Sequence, residues 1–449
     1  MSLLVDTLVD DVLIQLILTL PVPDVLSIRK TCKRLSYLTK LRTIWCTKFH
    51  TEVVRRKLPI PGSYLPFTDL PTADLEWKTL RALQLENKWR RISRHTALTS
   101  VLPVSEPVEK VILLPGGYHT LTVHTDRIVR WCISLQSFSQ NAVIERLDSW
   151  MSPGIITNVV RDLELPDRIA VASLAESQTI LTILSATADG VCTELGRSTL
   201  IGGNLAGLLG DYILLSDITS ASLVNWQTGD TLKLQVPLDA GEYLTFALFQ
   251  DFIVILWSQA LAIFPLPSAS TKTVSGSMEY KQSFAFHQPV QQPISMTNCL
   301  PRTLPSTSPF QLPGPEGLPC LSVISSSPVQ NAWGAQSGIT RSVLFPIDNN
   351  NTFSLSSIPM ALDFEECSEI CIGPSGRGVW IDNGNLRPCT PRTMVSGLGE
   401  LQVVDFDDGC RPLCRVPSKD NGPLCLDFDD GMGRIAIAHG KEVKIIDLV

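Results

Sequence analysis

Asp211-Tyr212-Ile213-Leu214-Leu215 and, seven residues on, Leu223-Val224-Asn225-Trp226-Gln227-Thr228-Gly229 read as two short strands and the turn that follows them. Each apolar run is too short for a helix, and polar or turn-forming residues bound it. The same cadence recurs in Tyr118–Val123 with Ile128–Trp131, in Arg168–Leu174 with Ile180–Leu184, and in Phe252–Trp257 with Leu261–Phe264. It returns in Glu369–Gly373 with Gly378–Asp382, and in Arg434–His439 with Val443–Asp447. Trp131, Ile183, Trp226 and Phe264 stand 52, 43 and 38 residues apart. That spacing is close to the roughly 40–50 residues of a four-stranded propeller blade. From about Lys110 onward the expectation is therefore an all-β domain, a β-propeller of six or seven blades, with a β-sandwich pair as the alternative. A closed ring leaves no long strand edge unpaired. The last apolar run, Val443–Val449, should accordingly pair with residues from near 100–115.

Two stretches break the cadence. Pro265–Pro319 is rich in Pro, Ser, Thr and Gln, and reads as a mobile insertion carrying Ser306-Thr307-Ser308-Pro309, a short proline-directed phosphorylation pattern. Gly384–Asn421, with Pro388, Pro391 and Pro412, is a second loop-rich region.

The first hundred residues follow a helical grammar. Asp10 and Asp11 suit a helix N-terminus, and Pro21 and Pro23 stop that helix after Leu20. On a helical wheel Asp11, Gln15 and Thr19 share one narrow arc, while apolar residues fill roughly two-thirds of the circumference. Such a helix needs more cover than one neighbour provides. Asp24 is a candidate N-cap for a second helix, along which Val25, Ile28, Cys32 and Leu35 repeat at helical spacing. A third, from Thr72 or Asp74 to about Ser93, places Trp77, Leu80, Leu83, Trp89 and Ile92 on its apolar side. Lys88-Trp89-Arg90-Arg91 suits the end of a connecting helix better than a nucleic-acid contact, since the chain is acidic overall and no recognition motif accompanies it.

Leu8, Asp11, Val12, Leu13, Leu16, Ile17, Leu20, Asp24, Val25, Leu26, Cys32, Leu38 and Trp45 fall in the order and spacing of an F-box, and residues 1–50 resemble that family. Two positions depart from its pattern: Val9 stands where the family has proline, and Leu35 where it has an aromatic residue. Val9 falls where the family contacts its adaptor, so the departure bears on adaptor affinity rather than on module identity. The resemblance implies docking to a Skp-type adaptor, and through it to a cullin, by Leu8, Val9, Val12, Leu20, Pro21, Val25 and Leu26. It assigns Leu16, Ile28, Cys32 and Leu38 to holding the helices together. Trp226-Gln227-Thr228-Gly229 and Ile446-Asp447-Leu448 resemble the degraded ends of WD-type repeats, although no repeat carries a full Gly-His…Trp-Asp signature.

The organisation expected is thus an α+β multidomain chain: an F-box at 1–50, a linker with an amphipathic helix at 51–100, and a propeller-like domain at 101–449. The family resemblance implies the substrate-recognition subunit of an SCF-type ubiquitin ligase, with an unknown protein target on the β domain. A propeller scaffold or sensor with a helical cap, and an F-box protein with a non-ligase role, are the alternatives.

Composition fits a globular chain of more than one unit: 449 residues, 44% hydrophobic and 18% charged. Residues 1–100 hold 16 Lys/Arg against 9 Asp/Glu, so the remainder carries −14 of a net −7. No basic leader precedes the apolar run Val12–Leu20, and that run is far short of the ~20 residues that span a bilayer. Twelve cysteines without framework spacing point to reduced thiols in the cytoplasm or nucleus. No catalytic constellation emerges. His119 and His124 stand at odd spacing on one strand and should face opposite ways, which excludes a shared metal. Cys367/Cys371 and Cys410/Cys414 have only loose C-x-x-x-C spacing. Asp407-Asp408-Gly409 and Asp429-Asp430-Gly431 read as turns. Gly116-Gly117 and Gly202-Gly203 lack the following Lys-Ser/Thr of a phosphate loop. A non-enzymatic binding protein without cofactor, metal, nucleic acid or membrane partner is the expectation.

Overall fold

A computed structural model describes residues 8–56, 58–61, 70–89, 98–114, 116–135, 142–165, 167–186, 192–200, 202–267, 276–286, 288–299, 320–331, 334–346, 352–360, 367–374, 377–382, 384–389, 392–395, 401–404, 412–416 and 424–448. Ser306–Pro309, Asp407–Gly409 and Arg90–Arg91 lie outside these residues.

Four short helices come first: α1 (Asp10–Thr19), α2 (Val22–Ile28), α3 (Lys33–Leu38) and α4 (Arg42–Lys48), the last running into a π-type turn at Phe49–Val54. The expected second helix is in fact two. Pro23 lacks an N–H and is tolerated only in a first turn, so α2 starts at Val22 with Pro21 as its N-cap, not at Asp24. It ends at Ile28, and Cys32 caps α3 by accepting the Leu35 N–H at 3.5 Å. The long helix α5 (Thr72–Trp89) follows.

Seven sheets of four or five strands then form the blades of a β-propeller. Blade 1 is Lys110–Leu113, His119–Val123, Arg127–Leu135 and Ala142–Met151; blade 2 is Ile155–Arg161, Arg168–Ala175, Gln178–Ser185 and Thr193–Leu200. Blade 3 is Asn204–Leu209, Tyr212–Ser216, Ala221–Asn225 and Thr231–Leu234, and blade 4 is Tyr243–Phe249, Phe252–Trp257, Ala260–Pro265 and Gln282–Ala285. Blade 5 spans Gln291–Cys299, Cys320–Asn331, Gly334–Pro346 and Phe353–Met360; blade 6 contains Cys367–Ile372, Gly378–Asp382, Asn385–Cys389 and Cys414–Arg415. Blade 7 combines Leu424–Asp429, Arg434–His439 and Glu442–Asp447 with Leu98–Leu102 from the start of the domain. First strands of neighbouring blades lie against one another from blade 2 round through blade 7 to blade 1.

Alternation explains why the middle strands read as unbroken apolar runs. In Phe252–Trp257 all six residues are buried: Ile253, Ile255 and Trp257 pack toward blade 3, while Phe252, Val254 and Leu256 pack toward blade 5. A strand buried on both faces has no polar side to show.

The stretch 265–319 is not one insertion. Gly276–Met278 pairs in parallel with Thr231–Leu234 on the outer edge of blade 3, Gln282–Ala285 completes blade 4, and Gln291–Cys299 opens blade 5. These strands are short or polar and carry no apolar periodicity, which is why composition alone reads them as loop. Residues 300–319 lie outside the described ones. In the second loop-rich region a hairpin, Arg392–Val395 with Leu401–Val404, stands between the third and fourth strands of blade 6.

The last strand closes the ring, Leu98 to Leu102 pairing antiparallel with Asp447 to Val443. A buried ion pair pins it: Arg434 Nε donates to Asp447 Oδ1 at 2.7 Å and Nη2 to Oδ2 at 3.1 Å. The same guanidinium donates to the carbonyls of Gly117 and, at 3.2 Å, of Ile133 in blade 1. Removing one partner of a buried pair strands the other charge, so Arg434→Ala should cost about 3–5 kcal/mol. Urea unfolding of the full chain measures this; a loss below about 1 kcal/mol, the value of an exposed pair, would show that the pair does not hold the closure.

Candidate functional site

Leu13, Ile17, Val25, Leu35, Leu38 and Ile44 form the core of the first helices. Leu8, Ile14, Leu18, Leu20 and Ile28 pack partly against it. A second core joins Val22, Trp45, Phe49, Val53 and Leu58 to Leu75 and Ala82 of α5. Two cations hold the turns between the helices. Lys48 is buried and donates to the carbonyls of Leu18, at 2.8 Å, and Leu20, filling the open acceptors at the end of α1. Burial lowers the Lys48 pKa, with Glu52 acting in the opposite sense. Arg29 forks onto Glu76 of α5 at 2.5 and 3.1 Å and lies over the Trp45 ring at 5.5 Å from its centroid. Neither cation was legible as structural, because each acts across 28 or more residues of sequence.

Packing on the inner side of α1 leaves its outer side bare. Val9 is 63% exposed, Val12 43% and Leu16 51%; Val12 and Leu16, with Asp11, Gln15 and Thr19, line a shallow open groove along the helix, and Val9 lies just before it in sequence. Arg34 fixes the start of this surface, pairing with Asp10 at 2.5 Å and donating to the Leu8 carbonyl at 2.6 Å.

The seven residues that the F-box resemblance assigns to adaptor contact therefore divide. Val9, Val12 and Pro21 are exposed, and Leu8, Leu20 and Leu26 are half-buried. Val25 is 0% exposed, inside the helical core, and offers no side-chain surface to a partner. Leu16 and Cys32, assigned to holding the helices together, are exposed instead, whereas Leu38 is buried and Ile28 half-buried. A helix apolar over two-thirds of its circumference does not reveal which third the neighbours leave uncovered.

α5 joins this unit to the propeller. Arg81 donates to the Met432 carbonyl at 2.9 Å, Glu86 pairs with Arg377, and Leu85 and Trp89 pack among Val379, Ile381, Ile435 and Ile446. Burial lowers both Arg81 and Arg377 to a pKa of about 10, so they stay charged at neutral pH. Trp89 packs on the following domain as expected; Trp77 is 37% exposed, its ring 6.2 Å from that of Tyr118. α5 grips the chain at Tyr118, at Arg377 and at Asp429–Gly433, each between a first and a second strand, and so sits on one face of the ring.

The remaining candidates are structural. His119 is on its strand and His124 just beyond it, bonded to the Pro107 carbonyl at 2.9 Å and to Thr122 at 3.1 Å. Thr122 also accepts the Trp131 indole N–H at 3.0 Å. Cys371 donates to the Leu426 carbonyl at 3.4 Å, and burial pushes its thiol well above the usual range. Cys410 lies outside the described residues. Asp429-Asp430-Gly431 is a turn, Asp429 accepting the Met432 N–H at 3.0 Å. Among the described residues no helix is long and apolar enough to cross a membrane.

No family model and no curated protein matches the sequence. Solved structures that resemble the fold include Kluyveromyces lactis Hsv2, 11% identical over 74% of this chain and 90% of that one, with a TM-score of 0.42. Chaetomium thermophilum Sqt1 is 12% identical over 76% and 82%, with a TM-score of 0.43. The same protein bound to the N-terminus of the ribosomal protein L10 gives 12%, 76% and 84%, with a TM-score of 0.41. Likeness of this degree carries nothing about partner or activity.

The burial pattern separates docking positions from core ones. Val12→Asp and Leu16→Asp should each change unfolding free energy by no more than about 0.5 kcal/mol, whereas Val25→Asp buries an unpaired carboxylate and should cost several. Denaturant melts of the three variants check this; equal costs would mean that α1 has no free face.

Proposed function

We propose that this chain is the substrate-recognition subunit of an SCF-type ubiquitin ligase, whose α1 surface docks a Skp-type adaptor and, through it, a cullin. The propeller holds a target protein. One observation carries the reading: Val9, Val12 and Leu16 form an apolar stripe that the chain's own helices leave uncovered, on the segment that resembles an F-box. Isolated exposed apolar residues are ordinary, but two one turn apart on a helix with a third at its N-cap suit a partner surface. The chain itself contributes proximity rather than bond chemistry, holding target and transferring enzyme together. This reading goes with a cytoplasmic or nuclear setting, where thiols stay reduced.

The seam through α5 supports a second reading, a propeller scaffold or sensor that uses its helices as a cap. Glu86–Arg377 and Arg81–Met432 attach the helical unit firmly enough for that role.

Titration of the full chain with a purified Skp-type adaptor separates the two. Saturable binding is expected, weakened roughly tenfold or more by Val12→Asp/Leu16→Asp, as for an interface centre. The φ of Val9, −70°, already suits proline, so Val9→Pro should leave the fold intact and tighten the complex. No binding by the wild-type chain, or equal binding by the double variant, would leave the cap reading in place.

A further inference from the structure

We infer that the propeller face opposite α5 binds a basic, amphipathic peptide segment of a partner protein along blades 1 to 4; this rests on reading the propeller as a protein-binding domain. α5 occupies turns between first and second strands. The turns between second and third strands, and the links from blade to blade, all lie on the other face. Along that face Met151, Ile155, Leu174, Ile218 and Leu238 are exposed, Ile218 to 70% and Leu238 to 95%.

These side chains fall on consecutive blades of one face, and the loops that carry them are bonded in two pairs, blade 1 to blade 2 and blade 3 to blade 4. Ile156 N–H donates to the Thr125 carbonyl at 2.7 Å, tying the start of blade 2 to the turn of blade 1. Tyr243 N–H donates to the Ile218 carbonyl at 2.7 Å, tying blade 4 to blade 3 in the same way. Gly154 packs directly on the backbone of Leu174, where a Cβ would come within 2.2 Å of the carbonyl oxygen.

Charge decides the occupant. Asp126, Glu176, Asp217, Asp239 and Glu242 are exposed on the same loops. Among the described residues no cation lies within ion-pair distance of any of the five, and Arg127 is taken by Glu106 at 2.6 Å. An apolar arc inside an uncompensated negative rim attracts Lys and Arg and repels nucleic acid and anionic lipid. Two of these carboxylates stand on left-handed backbone. Glu176, with Ser177, has φ of 48° and 69° in a two-residue hairpin turn, and Asp239 has φ of 56°, a conformation in which glycine or asparagine is the easier fit. The occupant is a segment alternating basic and large apolar residues, its cations on the rim and its apolar side chains against Ile218 and Leu238.

The test uses the full-length protein and a fluorescent Lys/Leu peptide, with a Lys/Ser peptide of equal charge and a Glu/Leu peptide as comparisons. The Lys/Leu probe should bind saturably and more weakly as salt rises; Lys/Ser should bind roughly tenfold more weakly, and Glu/Leu not at all. Asp126→Asn/Glu176→Gln/Asp217→Asn/Asp239→Asn should weaken the Lys/Leu complex roughly tenfold, as should Ile218→Ser/Leu238→Ser. Glu145→Gln/Glu194→Gln, on outer strands, should not. All these side chains are exposed, so unchanged melting curves verify the fold. Equal binding by face variants and wild type, or failure of the Lys/Leu probe to bind, would overturn the inference. Self-association of the protein alone, lost in the same variants, would overturn it too by naming a second copy as occupant. Adaptor titration of the face variants keeps the two readings apart: adaptor binding should survive in them, and its absence from the wild type speaks only to the ligase reading.

Discussion

Pairing of Leu98–Leu102 with Glu442–Asp447 is the constraint on which the arrangement of the chain depends. Six blades are built from consecutive sequence, with one strand lent across an edge, but the seventh needs a strand whose paired residues stand 341 to 349 positions away. Without it, blade 7 would present a bare edge to water. Loop-closure entropy on this scale grows only with the logarithm of length, so the contact is affordable, but it has to be specific. Arg434 adds a second constraint at the same seam. Its guanidinium does not touch Leu98–Leu102 but ties the last strand, through Asp447, to the carbonyls of Gly117 and Ile133 in blade 1, which sets the seam that the closing strand completes.

Closure also fixes the helical unit. α5 ends at Trp89 and the closing strand starts at Leu98, so the helix is held close to the seam between blades 6, 7 and 1. Its sequence serves two cores at once: Leu75 and Ala82 complete the helical core, whereas Leu85 and Trp89 complete that of blades 6 and 7. An amphipathic helix with one stripe buries one face. α5 changes partners along its length, which is why its apolar positions read only as a connecting helix.

Much of this was legible because strands buried on both faces announce themselves. Trp131, Ile183 and Phe264 all lie in third strands, and Trp226 follows one directly, so the spacing of these residues tracked the blades. The pairing of the terminal strand followed from the need to close edges, with its partner at Leu98–Leu102. What escaped notice was carried by residues without apolar periodicity: the parallel strand Gly276–Met278, the break between α2 and α3, and the outward side of α1. Local pattern says that a helix is apolar; only the packed neighbours decide that Val25 turns inward while Val12 and Leu16 turn out.

The α5 seam shows why buried cations are used where apolar packing alone would suffice for stability. Leu85 is seated on Gly433, where a Cβ would come within 2.3 Å of its Cδ1, so the apolar contact already favours one position of the helix. Arg81 and Glu86, on successive turns of α5, add directional bonds to it, to the Met432 carbonyl and to Arg377. A one-turn shift would leave a buried guanidinium and a buried carboxylate unpaired, at several kcal/mol each. The desolvation that makes these groups poor contributors to net stability is what makes the wrong registers inaccessible. It sets the helical unit in one position on the ring, with the α1 stripe and the far face of the propeller in a fixed relation.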